Sequence, residues 1–65
     1  MTVDSDRAEL SSLASQLDDL TRRLVAVADR YRVTEDSLAA AELDAAERNL
    51  LTARRAVGRA TTALH

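Results

Sequence analysis

The strongest constraint on the fold is a stripe of apolar residues that runs without a gap from Leu10 to Tyr31. Its members recur in alternating steps of three and four residues, the heptad spacing that places them along one side of an α-helix. They are Leu10, Leu13, Leu17, Leu20, Leu24, Val27 and Tyr31. Such a stripe has to be covered by another helix, because apolar surface is removed from water when a protein folds.

A second series with the same spacing follows after a short interruption and predicts the covering helix. Its members are Ala39, Leu43, Ala46, Leu50, Ala53, Val57, Ala60 and Leu64. The chain is therefore predicted to be an all-α, antiparallel two-helix hairpin, packed like a coiled coil along an alanine–leucine seam. We expect residues whose numbers add up to about 70 to face each other, so that leucine opposes alanine in half of the layers.

Capping signals set the expected boundaries of the two helices. Asp6 and Glu9 resemble a capping box for helix 1. Thr34 is the predicted N-cap of helix 2, with Val33 and Leu38 in the two positions of a hydrophobic staple. So short a connection makes the helices antiparallel neighbours. The expected elements of this single domain, 1–65, are helix 1 over about 6–32, a turn at about 33–35 and helix 2 over about 35–63.

The charges fall into four blocks that favour the same arrangement. Residues 1–21 carry a net charge of −4, residues 22–32 carry +3, residues 33–47 carry −5 and residues 48–65 carry +4. Antiparallel packing places the −4 block beside the +4 block, and the +3 block beside the −5 block. Each exposed pair contributes only about 0.2–1 kcal/mol, but their common sign selects the orientation.

The length of the chain predicts self-association. A chain of 65 residues without cysteine has neither a large core nor a disulfide to stabilise it. We expect a homodimer that forms a four-helix bundle, an architecture in which the chain resembles the plasmid copy-number regulator Rop. The second contact surface would consist of the apolar residues that lie off the seam, which are Val25, Leu38 and Leu51 together with Ala14, Ala28 and Ala40.

The side chains present argue against catalysis. The chain contains one histidine, His65, no cysteine and no glycine-rich phosphate loop, so we predict no enzyme activity, no metal site, no cofactor and no small-molecule substrate. It has no apolar run long enough to span a membrane and no secretion signal, so the expected location is cytoplasmic. All nine basic residues are arginine and thirteen residues are alanine, which indicates a GC-rich bacterial genome.

One charged feature is a candidate for function. Arg48, Thr52, Arg55 and Arg59 follow helical spacing on the side of helix 2 opposite the seam, with Arg54 beside them, and no acidic residue follows Glu47. This arginine stripe could bind a protein partner or, in an alternative interpretation, nucleic-acid phosphates. The favoured prediction is a structural or regulatory protein–protein interaction module. The net charge of −2 and the lack of exposed aromatic residues make nucleic acid the weaker candidate.

Overall fold

The computed structural model describes residues 2–33 and 37–64, which form two antiparallel α-helices packed side by side. Helix α1 comprises Val3–Arg32 and helix α2 comprises Ser37–Ala63. The hairpin measures 50 × 15 × 13 Å, close to the length of its longer helix at about 1.5 Å per residue. The predicted all-α hairpin is thus confirmed for the described part of the chain.

Helix α1 begins earlier than the capping box at Asp6 and Glu9 predicts. The Thr2 hydroxyl accepts a hydrogen bond of 3.1 Å from the Ser5 backbone N–H, and Thr2 has an extended backbone, with φ −105° and ψ 161°. This is the geometry of an N-cap. The start predicted at residue 6 is therefore wrong by three residues, and Asp4 and Asp6 lie in the first turn, where their charge complements the helix dipole.

At the other end of α1 the helix stops where the sequence predicts, at Arg32. The Val33 N–H donates a hydrogen bond to the Tyr31 carbonyl. The predicted cap of the second helix, formed by residues 34–36, lies outside the described residues. Val33 and Leu38 remain 87% and 72% exposed, which leaves little of either side chain for the staple contact that was predicted between them.

Contacts between the helices fix the register. An Arg7 guanidinium nitrogen donates to the Leu64 carbonyl at the terminal end of the hairpin. In the middle, Asp18 and Arg54 form an ion pair of 3.2 Å. These contacts join residues whose numbers add up to 71 and 72, whereas the long Arg32 side chain reaches Asp44, at a sum of 76. Facing residues therefore have numbers that add up to about 71, within one residue of the predicted register.

The core of the hairpin lies on a different face of α1 from the one predicted. Among the described residues, Ala14 and Ala28 are the two that are buried, at 8% and 1% exposure, and half-buried Thr21 lies midway between them in the same heptad series. The Thr21 hydroxyl donates a bond of 2.8 Å to the Leu17 carbonyl, so its polar atom is satisfied. Small side chains at the centre of a helix pair allow the helices to approach closely.

Only part of the predicted seam takes part in the contact. Half-buried members are Leu10, Leu17, Leu24, Val27, Ala39, Leu43, Ala46, Leu50, Val57 and Leu64. Exposed members are Leu13, Leu20, Tyr31, Ala53 and Ala60. Leu13, Leu20, Ala53 and Ala60 lie outside the contact because each helix is rotated, so that Ala14, Thr21 and Ala28 on α1 and the side chains of Glu47, Arg54 and Thr61 on α2 turn inward instead. Tyr31 shares the heptad position of Leu17 and Leu24 and lies at the end of α1.

Candidate interaction surfaces

One flank of the hairpin carries the ion pairs that join the two helices. Asp18 bonds Arg54 at 3.2 Å, and Arg32 bonds both Asp44 across the hairpin and Asp29 on its own helix. The hydrogen bond that Arg32 donates to Asp44 raises the pKa of Arg32 above its ordinary value; desolvation opposes this rise, and the negative charges of Asp44, Asp29 and Glu47 add to it. We call this the ion-paired flank.

These pairs join the charge blocks that the antiparallel prediction places side by side. Asp18 belongs to the −4 block and Arg54 to the +4 block, whereas Arg32 belongs to the +3 block and Asp44 to the −5 block. The side chains stay 35–46% exposed, so each pair adds little to stability. They do fix which sides of the helices meet.

The opposite flank is apolar. Ala14 and Leu17 both face α2. Leu13 lies about 100° around the helix from Ala14 on one side of this contact, and Asp18 lies about 100° from Leu17 on the other side. Leu13 therefore lies on the side away from Asp18, and the same holds for its heptad partners. In an antiparallel register near 71, the residues of α2 that share this side are the heptad alanines. We call this surface the apolar flank: Leu13, Leu20, Val27, Ala46, Ala53 and Ala60.

Large side chains on the apolar flank remain partly exposed to solvent. Leu13 is 39% exposed and Leu20 is 45% exposed, although both follow the spacing of a packed stripe. A helix that is paired with one neighbour needs two apolar positions per heptad, whereas a helix in a larger bundle carries a third beside them. Leu13, Leu20 and Val27 occupy this third position, which is typical of helices that contact two neighbours.

The predicted second contact surface has largely become the interior of the hairpin. Ala14 and Ala28 are its core, and Val25, Ala40 and Leu51 are half-buried. Leu38 alone is largely exposed, at 72%, near the turn. The faces assigned to the intramolecular seam and to the outer contact are therefore partly exchanged.

The arginine stripe is exposed as predicted, except for Arg54. Arg48, Thr52, Arg55 and Arg59 are all exposed, and none of the three arginines forms an ion pair with a described residue. Arg54, predicted to lie beside the stripe, is half-buried and donates a hydrogen bond to Asp18, so it belongs to the ion-paired flank.

The described residues offer few features of other kinds. A shallow groove on the outer side of α1 is open to solvent and does not enclose a ligand; its lining is Ser12, Ser15, Gln16, Asp19, Leu20 and Arg23. No cluster of three metal-ligating side chains occurs within residues 2–33 and 37–64. In that same part of the chain, neither helix is long and apolar enough to cross a membrane.

Comparison with known proteins leaves the surfaces of the hairpin as the guide to function. Neither a family model, nor a curated protein, nor a solved structure matches the chain.

Proposed function

We propose that the chain is a non-catalytic interaction module that self-associates into a four-helix bundle and has a structural or regulatory role. The observation that carries the proposal is the apolar flank, where Leu13 and Leu20 stay 39% and 45% exposed at the third apolar position of their heptads. The hairpin alone fully buries none of its described large side chains. A partner on this flank would supply the missing core.

Light scattering on the full chain at micromolar concentration tests self-association. We expect twice the monomer mass of 7.1 kDa. Leu20→Asp should give a monomer, because a charge would be desolvated inside the bundle without a partner. The matched control is Ser12→Asp, which puts the same charge on the outer side of α1 and should leave the mass unchanged. A wild-type mass of 7.1 kDa with a cooperative melt would overturn the proposal.

A second candidate function rests on the arginine stripe. Arg48, Arg55 and Arg59 are exposed on one side of α2 without ion pairs to described residues, so their charge is available to an acidic protein surface or to nucleic-acid phosphates. The acidic net charge and the lack of an aromatic platform favour a protein partner.

Replacing Arg48, Arg55 and Arg59 together by glutamine separates these possibilities. The control replaces two exposed arginines of α1, Arg22 and Arg23, in the same way. Nucleic-acid binding would appear as a mobility shift of the wild type whose affinity falls by about one log unit per log unit of salt for each phosphate contact. It should be lost in the stripe variant and kept in the control. Equal binding by all three proteins would remove the stripe from consideration.

A further inference from the structure

We propose that the apolar flank binds a second copy of this chain with α1 of one copy against α2 of the other, around a two-fold axis parallel to the helices. This inference rests on the proposed self-association and specifies its geometry. A two-fold interface must be complementary to itself. The question is therefore which pairing of the two flanks satisfies both the shape and the charge of their residues.

Shape complementarity comes from the heights of the residues along the hairpin. With facing residues adding up to about 71, each large residue of the flank lies within about two residues, or roughly 3 Å, of the height of one alanine of α2: Leu13 of Ala60, Leu20 of Ala53 and Val27 of Ala46. A two-fold axis parallel to the helices keeps each residue at its height and exchanges α1 for α2. Each large side chain of one copy then meets an alanine of the other, three times on each side of the axis.

The alternative axis runs across the helices and packs α1 against α1 and α2 against α2. It places Leu20 of one copy against Leu20 of the other and Leu13 against Val27. The alanines of α2 then face only alanines. Layers of large side chains between the two α1 helices would be overfilled, and layers of alanine between the two α2 helices would leave voids. Packed interiors tolerate neither overlap nor voids of that size.

Charges at the rim of the flank fit the parallel axis as well. Arg30 and Glu42 are exposed, lie at the same height on the edge of the apolar flank, and make no ion pair with another described residue. The parallel axis brings Arg30 of one copy beside Glu42 of the other, twice per dimer. The crosswise axis would instead pair Arg30 with Glu9.

The available area is sufficient for a second copy. A face 50 Å long and 15 Å wide offers roughly 750 Å², close to the ~800 Å² that each partner buries in a stable interface. The ion-paired flank is a poorer match, because the charged side chains of Asp18, Arg32 and Asp44 interrupt its apolar residues Val25 and Leu51. Both turns lie at the same end of the resulting bundle, and both pairs of termini lie at the other.

Cysteine pairing tests the geometry, because the chain contains no cysteine of its own. The variants Leu20→Cys and Ala53→Cys are mixed, refolded together and oxidised in a glutathione buffer. We expect the disulfide dimer to contain one chain of each variant, identified by mass. A dimer of two Leu20→Cys chains would establish the crosswise arrangement and overturn the inference. The matched control is a mixture of Ala26→Cys and Thr52→Cys, on the outer sides of the helices, which should give no preferred disulfide.

Charge reversal gives a second test of the dimer geometry, which does not require a cysteine at position 20. Arg30→Glu and Glu42→Arg should each weaken dimerisation by about tenfold, since each reversal acts twice in a two-fold dimer, and the double variant should restore it. Glu9→Arg is the matched control and should have no effect.

An effect of Glu9→Arg without one of Glu42→Arg would overturn the geometry while leaving self-association intact. A monomeric wild type would instead refute the self-association itself. The two failures are therefore distinguishable.

Discussion

Gly58 is the chain's single glycine, and it lies inside α2 rather than at a turn. Glycine in a helix interior loses more backbone entropy than alanine on folding. A Cβ atom built at Gly58 would meet only the Arg54 Nη1 atom, at 3.4 Å, the movable end of a long side chain. We predict that Gly58→Ala stabilises the protein by about 0.5–1 kcal/mol. The measurement is the midpoint of urea unfolding at fixed protein concentration, and a lower midpoint would show that the added methyl group displaces the Arg54 side chain from Asp18.

The ion pair between Asp18 and Arg54 is a second feature whose energy can be measured by single-residue substitutions. Both side chains are 39–46% exposed, so solvent screens the pair and a coupling energy of about 0.2–1 kcal/mol is expected. A double-mutant cycle with Asp18→Ala and Arg54→Ala measures it by urea unfolding. Arg55→Ala, on the outer side of α2, is the control and should show no coupling to Asp18. Coupling to Arg55 instead would place the stripe, not Arg54, at the helix contact.

At the scale of the element, Thr2 determines where α1 begins. Its hydroxyl is the acceptor for the Ser5 N–H, and loss of an N-cap costs about 0.5–2 kcal/mol. We predict that Thr2→Ala frays the first turn, so that the Ser5 amide exchanges faster with solvent, while Thr2→Ser preserves its protection. Hydrogen exchange followed by NMR is the measurement. Equal exchange in all three proteins would mean that the cap does not hold this turn.

The elements and their orientation could be predicted from the sequence, but hydrophobic spacing alone does not give the face that joins them. Leu10, Leu17 and Leu24 alternate in steps of three and four with two sets of residues. One set is Leu13, Leu20 and Val27, and the other is Ala14, Thr21 and Ala28. Hydrophobicity favours the leucines, so the spacing argument selects the wrong side of α1. The structure selects the alanines, because small side chains permit close approach and because this rotation brings Asp18 to Arg54 and Arg32 to Asp44.

A signal for the correct rotation was present in the sequence. The four charge blocks favour antiparallel over parallel packing, and individual charges also favour one flank. Asp18 and Arg54 lie opposite each other only on the side away from Leu13. The interior position of Arg54 is the least predictable, since arginine at the contact between two helices contradicts the apolar pattern.

For the whole molecule, self-association should couple stability to concentration. The described part of the hairpin buries only Ala14 and Ala28 below one tenth of their surface, so much of the core of a dimer would form only on association. We predict that the melting temperature rises as protein concentration increases a hundredfold, because association favours the folded state by mass action. Circular dichroism at 222 nm is the measurement. Leu20→Asp provides the control, since its melt should not depend on concentration.

The antiparallel register also makes the molecule an electric dipole. In the half that holds the termini, the −4 and +4 blocks cancel, whereas in the half that holds the turn, the +3 and −5 blocks leave the entire net charge of −2. Two copies related by an axis parallel to the helices would point their dipoles the same way, and a crosswise axis would cancel them. The dielectric increment of the dimer in solution therefore differs between the arrangements, and a bundle with one neutral end and one acidic end would approach any charged surface in a single preferred orientation.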